Sequence, residues 1–289
     1  MASDKENKIY FYDPSLAAAI LFTIIYIIPL AYQIWTTIIL PWKGRYPRAN
    51  YLIPIVIGAA LEVAGYGIRC ASVREPQSIP LYAVSITVIV IAPVFVCASL
   101  YMLLGRLRSN APDGGTRTPA SFLGRFPVKW LPWIFVTLDV ISVLTQGSGS
   151  GIASSGNWEG SSHDTGIAVL IAGLVLQVIT FACFLVIVSW FHLRATRGGS
   201  LGHGVKMVLK GIYIAGFFVM VRSIYRVFEF ALGIDSYTFT HEWPLYVLEA
   251  IPMLIALMAL GWFHPGKWLA ADHLGEGGKV RMRQSEALV

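Results

Sequence analysis

Charge is what this sequence has least of. Only 13% of its 289 residues are Asp, Glu, Lys or Arg, where a soluble domain carries about 25%. With 56% hydrophobic residues and a mean hydropathy of +0.64, the chain lacks the polar surface of a water-soluble globule. Cysteine is scarce too. Cys70, Cys97 and Cys183 each lie inside a hydrophobic run, and their odd number and placement exclude a disulfide framework. There is no Asn-x-Ser/Thr sequon and no phosphate-cradling glycine loop, so ATP-driven pumping by this chain alone is not expected. The six histidines fall in loops or at helix ends and form no zinc-binding triad by spacing; neither metal nor cofactor is expected. The polar stretch 1–13 is not followed by a short apolar run with a small-residue cleavage site, so the first hydrophobic run is expected to be a span, not a leader.

What is present is hydrophobic length. A membrane-crossing helix needs about 20 mostly apolar residues. Seven stretches qualify: 15–40, 50–71, 80–104, 128–150, 165–192, 207–233 and 243–263. The fold expected is all-α, a polytopic seven-transmembrane helix bundle. An extracellular segment 1–14 precedes the transmembrane domain 15–264, and a cytoplasmic tail 265–289 follows. The segment 108–126 is expected to be the longest loop. The Gly/Ser-rich 148–163 reads either as an outer loop or as a surface that lets helices or a ligand approach closely. Pro29, Pro93, Pro132 and Pro252 fall inside spans and are expected to kink them.

The net charge of +6 raises the question of nucleic acid, but its placement answers otherwise. Sixteen lysines and arginines, among them Lys43, Arg106, Arg194 and Lys267, flank one side of the predicted bundle, against Lys5, Lys8 and Arg74 on the other. Basic loops mark the cytoplasmic side, so the N-terminus is expected outside and the C-terminus inside. The basic residues orient the chain and meet anionic lipid heads; no nucleic-acid partner is expected.

Against this background the charges within the spans stand out. An ionised side chain at membrane depth costs at least ~2.5–3.5 kcal/mol. Arg222, Arg226 and Glu229 share one face of the sixth predicted helix. Glu62 and Arg69 lie in the second with Tyr66 between them, Asp139 in the fourth, Glu249 in the seventh. The polar Gln146 and Gln177 belong to the fourth and fifth. All fall in the middle or outer half of the membrane, and the inner half reads as apolar. The expectation is that the second, fourth, sixth and seventh helices surround a polar pocket open to the outside. The candidate ligand-binding residues are Glu62, Tyr66, Arg69, Asp139, Gln146, Gln177, Arg222, Arg226, Glu229 and Glu249; no catalytic or metal residues are named. The same residues also read as an ion-pair network that fixes helix packing.

Several short patterns, in this order along the chain, carry a resemblance. They are Tyr12-Asp-Pro-Ser15; Glu62-Val-Ala-Gly-Tyr66-Gly-Ile-Arg69; Ala92-Pro93 with Tyr101 and Gly105-Arg106; Asp139 with Gln146-Gly-Ser-Gly149; Gly173 with Gln177; Arg222-Ser-Ile-Tyr-Arg226-Val-Phe-Glu229; Glu242 with Tyr246; and His264-Pro-Gly266. Together they resemble the fungal RTA-like, or lipid-translocating exporter, family of seven-transmembrane proteins. One departure is visible: Tyr32 and Gln33 stand where a histidine is expected late in the first helix. The resemblance implies a fungal membrane protein, expected in the plasma membrane. It links the chain to export or flipping of sphingoid long-chain bases, to resistance to sterol-like or other toxic lipophilic drugs, and to porphyrin movement. Its partners would be membrane lipids or lipophilic small molecules.

The function expected is therefore a non-enzymatic transporter or translocator of amphiphiles. Two other readings stay open. A seven-helix lipid sensor fits the span count, although there is no Asp-Arg-Tyr turn after the third helix, no paired outer cysteines and no lysine in the seventh helix for a retinal Schiff base. A metal-free intramembrane lipid hydrolase would use the carboxylates.

Overall fold

The computed structural model of the chain describes residues 14–44, 50–75, 77–109, 130–155, 160–197, 202–233 and 236–269. It contains seven helices long and apolar enough to span a bilayer. They are α1 (Leu16–Trp42), α2 (Asn50–Arg74), α3 (Pro80–Leu107), α4 (Leu131–Ile152), α5 (Asp164–Arg197), α6 (His203–Ala231) and α7 (Leu245–Leu269). Of the expected loop 108–126, residues 108 and 109 still belong to the helix of α3 and the rest lies outside the described residues, as does most of the tail 265–289.

These sequences become helices because a bilayer offers backbone groups no partner except one another. Their outward residues are large and apolar: Ile24, Ile28, Leu144, Ile179, Val186, Phe217 and Phe228 are all exposed to the surroundings of the bundle. The interior holds the aromatic and small residues, with Tyr26, Tyr66, Ala59, Ala215 and Ala256 fully buried.

α1 and α7 run side by side in the same direction. Ser15 N–H donates to Glu242 at 2.7 Å, Tyr26 Oη to the Ala250 carbonyl at 2.7 Å and Gln33 Nε2 to the Leu257 carbonyl at 3.0 Å, with Thr37 Oγ1 3.2 Å from His264 Nε2. Parallel first and last helices are what seven consecutive crossings require. The face where α1 and α7 begin is called the near face below, and the one where they end the far face.

The Gly/Ser-rich run proves largely helical where it is described: the helix of α4 continues to Ser155, and that of α5 already begins at Gly160. Residues 156–159 lie outside the described ones. Glycine is needed here by packing. A Cβ on Gly149 would fall 2.5 Å from Leu170 N and 2.6 Å from the Gly166 carbonyl, and one on Gly173 would fall 2.8 Å from the Ser142 carbonyl. The two backbones approach each other in the manner of small-residue membrane interfaces.

Gly149→Ala and Gly173→Ala should therefore each destabilise the protein by about 1–3 kcal/mol through forced separation of α4 and α5. Gly147→Ala, where a Cβ meets nothing within 4 Å, is the control. Thermal unfolding in detergent checks this; equal loss in all three variants would contradict it.

Candidate functional site

Three acids and two arginines from α2, α6 and α7 form one connected cluster. Arg222 Nη2 donates to Glu249 Oε1 at 2.8 Å, while its Nη1 lies 3.9 Å from Glu62 Oε1. The other oxygen of Glu249 is 3.6 Å from Arg226 Nη1, which is itself 2.8 Å from Glu229 Oε2. Tyr225 Oη donates to the remaining oxygen of Glu229 at 3.2 Å. The order is Glu62, Arg222, Glu249, Arg226, Glu229, and Glu249 bridges the two cations. Glu62, Arg222, Glu229 and Glu249 are buried and Arg226 nearly so. The i,i+3 and i,i+4 spacing of Arg222, Arg226 and Glu229 on one helical face sets this order, as the sequence suggests.

α3 joins the site without any charge of its own. Pro93 has no N–H, so the carbonyl four residues earlier, that of Ile89, loses its intrahelical partner. Arg222 Nη2 donates to that carbonyl at 2.9 Å. The proline expected only to kink α3 supplies a buried acceptor to the central guanidinium.

Prolines also shape α1 and α7. In each, a widened stretch of helix ends two residues before a proline: Trp35–Ile39 before Pro41, and Leu245–Ala250 before Pro252. Widening keeps the carbonyls clear of the ring and leaves some of them open to outside donors. The turn in α7 carries Glu249 and Tyr246, and its Ala250 carbonyl accepts from Tyr26. The turn in α1 carries Thr36 and Thr37.

Toward the near face a second group covers the cluster. Arg69 Nη2 is 3.1 Å from Glu242 Oε1, Tyr246 Oη donates to that same oxygen at 3.1 Å, and Ser15 N–H holds Glu242 Oε2. Between the groups lie stacked rings: Phe22 on Tyr246 at 4.7 Å, and Tyr66 on Tyr26 at 5.2 Å. Arg69 sits 5.8 Å from the Tyr246 ring, a cation–π distance.

Of the ten residues named from sequence, Glu62, Arg222, Arg226, Glu229 and Glu249 come together, with Tyr66 and Arg69 beside them. Asp139 does not join them. Its Oδ2 accepts from Tyr101 on α3 at 2.7 Å, because α4 packs on α3 and α5 and not on the charged helices. Gln146 and Gln177 pair with each other, Nε2 to Oε1 at 3.1 Å, and fasten α4 to α5. The expectation that α4 shares a pocket with α2, α6 and α7 is thus corrected: α3 takes its place. Sequence reasoning also placed Glu242 merely at the helix end, where it is the partner of Arg69. The signal was available, since Arg69 has no acid on its own helix within a turn.

Two cavities lie away from the charges. One cavity of about 30 Å³ lies toward the far face between α3, α4 and α5, lined by Tyr101, Phe135, Phe184 and Trp190. Another of about 10 Å³ is lined by Gln33, Ser99, Leu260 and His264. Neither is lined by a member of the charge cluster. The second cavity also corrects the reading of the inner half as apolar: Gln33, Thr36, Thr37 and His264 are buried there. Thr36 and Thr37 escaped notice because they carry no formal charge, while Gln33 and His264 stand out in the sequence only as parts of the family pattern. Among the described residues no group of three His, Cys, Asp or Glu side chains stands close enough to hold a metal ion.

With the geometry in place, comparison with known proteins adds the following. A family model described as "RTA1 like protein" matches residues 55–272, which takes in α3 to α7 and most of α2. Protein RTA1 of Saccharomyces cerevisiae is 26% identical over 273 residues, covering 87% of this chain and 83% of that protein. Protoporphyrin uptake protein 1 of the same yeast is 26% identical over 289 residues, covering 89% and 92%. The sphingoid long-chain base transporter RSB1, also of that yeast, is 27% identical over 253 residues, covering 75% of this chain and 64% of its own length. No solved structure matches the chain.

Removing Arg222 takes from buried Glu249 its closest cationic partner. Arg222→Met should cost about 3–5 kcal/mol of stability, the usual loss when one partner of a buried ion pair is removed. Adding Glu249→Gln should recover part of that loss. A double-mutant cycle by denaturation in detergent checks this, and strictly additive losses would deny the coupling.

Proposed function

Because the chain belongs to the RTA1-like protein family, we propose that it moves lipophilic amphiphiles across a membrane, with the charge cluster of α2, α6 and α7 receiving the polar head. The relatives named for sphingoid long-chain base transport and protoporphyrin uptake support this class of cargo. A sphingoid base offers an ammonium head and an apolar tail. The carboxylates of Glu62, Glu229 and Glu249 suit the head, and the gaps between apolar helices suit the tail. Sterol-like and other toxic amphiphiles fall in the same class, which ties the reading to drug resistance.

The observation that carries the reading is the charge count of the cluster. Two arginines face three acids, and the acids and Arg222 are all buried. A network evolved for packing alone gains nothing from an unmatched carboxylate at that depth, whereas a site for a cationic head needs one. In the described structure the site is closed. Admission of cargo then requires the Arg69–Glu242–Tyr246 cover to part from Ser15, or α6 and α7 to separate from α2. The step is binding and movement, with no bond cleaved.

The basic far face orients the bundle with that face in the cytosol, so the cluster and its cover lie toward the outside. On this reading the protein works in the plasma membrane and hands its cargo to the outer leaflet or beyond.

Reconstituted liposomes with a fluorescent long-chain base provide the test. Glu249→Gln and Arg226→Gln should each slow translocation by at least about tenfold, a transition-state change of ~1.4 kcal/mol. Asp139→Asn, outside the cluster, should translocate near the wild-type rate. Wild-type rates in both cluster variants at equal incorporation would remove the cluster from the mechanism.

A further inference from the structure

Glu62 is the unmatched acid of the cluster. Both of its oxygens are buried without a hydrogen-bond partner among the described residues. The nearest cation, Arg222, keeps its Nη1 3.9 Å away and commits its Nη2 to Glu249 at 2.8 Å and the Ile89 carbonyl at 2.9 Å. The groups acting on Glu62 from the helices around it are Tyr26 on α1, Tyr66 on α2 itself, Arg222 on α6 and Glu249 on α7. From α3 comes only the Ile89 carbonyl, held by Arg222. Arg222 is already matched by Glu249, so it cannot also neutralise Glu62. Tyr66, one turn along the same face, is fully buried, and its hydroxyl has no hydrogen-bond partner either.

A bare carboxylate in such a place is expensive, and proteins avoid the cost by neutralising the group. Neither of the two cavities described above is lined by Glu62, and the cheapest neutralising charge is one that needs no room of its own. A proton meets that limit. Once the helices part, a larger cation of the same charge has two things to bind: the carboxylate, and the stacked rings of Tyr26 and Tyr66 that act on it. Aromatic faces attract ammonium groups.

We propose that Glu62 is an exchange site for one positive charge, holding a proton in the closed structure and giving it up when a long-chain primary ammonium binds. The exchange balances: the carboxylic acid loses H⁺ to solvent, and the carboxylate left behind pairs with R–NH₃⁺ already carrying its charge. No electron moves, and no bond forms other than hydrogen bonds. The inference deepens the transport reading and rests on it for its consequence, which is that amphiphile movement in one direction draws protons in the other. Its test, however, reads binding alone.

Infrared difference spectroscopy on the purified protein in lipid nanodiscs follows the carbonyl stretch of protonated carboxyl groups. Dodecylamine at constant neutral pH should remove one such band from the wild type and release about one proton per amine bound into weak buffer. Dodecanol, with the same tail and no charge, should do neither, and sodium chloride alone should leave the band in place. In Glu62→Gln the amine-sensitive band should be missing, while Tyr66→Phe keeps it at a shifted frequency. If Glu62→Gln does not fold, the shift of the amine-sensitive band in Tyr66→Phe still assigns it to Glu62, and an unshifted band there would overturn the proposal. A band insensitive to amine, a band persisting in Glu62→Gln, or loss of the band with sodium chloride would each overturn the proposal. Should the band respond as expected while liposomes show no translocation, the exchange site stands and the transport reading falls; translocation with an inert band has the opposite meaning.

Discussion

The structure depends on where one guanidinium finds its partners. Arg222 is held in the apolar interior of a bundle whose outer surface is Ile, Leu, Val and Phe, and a charge there must be met on several sides at once. Four helices converge to do it. α7 brings Glu249, α2 brings Glu62 at longer range, and α3 brings a carbonyl that Pro93 has released. A lysine would not serve as well, since the planar fork of arginine reaches several acceptors at once. Arg222 thus defines how α2, α3, α6 and α7 sit around one another, while α4 and α5 are joined to the rest by different means.

Those other means are contact without charge. Gly149 and Gly173 let the α4 and α5 backbones approach, and Gln146 with Gln177 closes the seam. α1 is fastened to α7 by single side chains that donate to carbonyls, with wide turns in both helices ahead of Pro41 and Pro252. Bonds of this sort are few per helix and can be exchanged without leaving a bare charge. The ion cluster is different: breaking it unpaired is costly, and a cationic head arriving as it opens offsets that cost. The arrangement is therefore held closed by its own pairs, and the proposed cargo would replace one of them.

The number and order of the spans were legible because hydrophobic length is a direct physical demand of the bilayer. Charged residues in the spans were legible for the same reason: Glu62, Arg222, Arg226, Glu229 and Glu249 stand out by their cost, and they do meet. Their grouping with Asp139 was not legible, because depth along a helix says nothing about which neighbour that helix faces. Tyr101 was the partner, on a span with no charge to advertise it. The role of α3 was hidden for a similar reason, since its contribution is a backbone atom. Thr36 and Thr37 near the far face were passed over because neutral polar groups cost little enough in hydropathy to blend into an apolar run. The Gly/Ser-rich run was ambiguous in sequence, and the close approach of α5 decided it in favour of helix.

In the proposed function the α2–α6–α7 cluster opens to take a cationic head in place of its internal pairs. A structure of the protein in nanodiscs, determined with a saturating long-chain amine, tests it most directly. The account expects the amine nitrogen within hydrogen-bond distance of Glu62 or Glu249, with Arg222 moved off at least one of its present acceptors. Amine found only along the lipid-facing surface, with the cluster still closed as described, would contradict it.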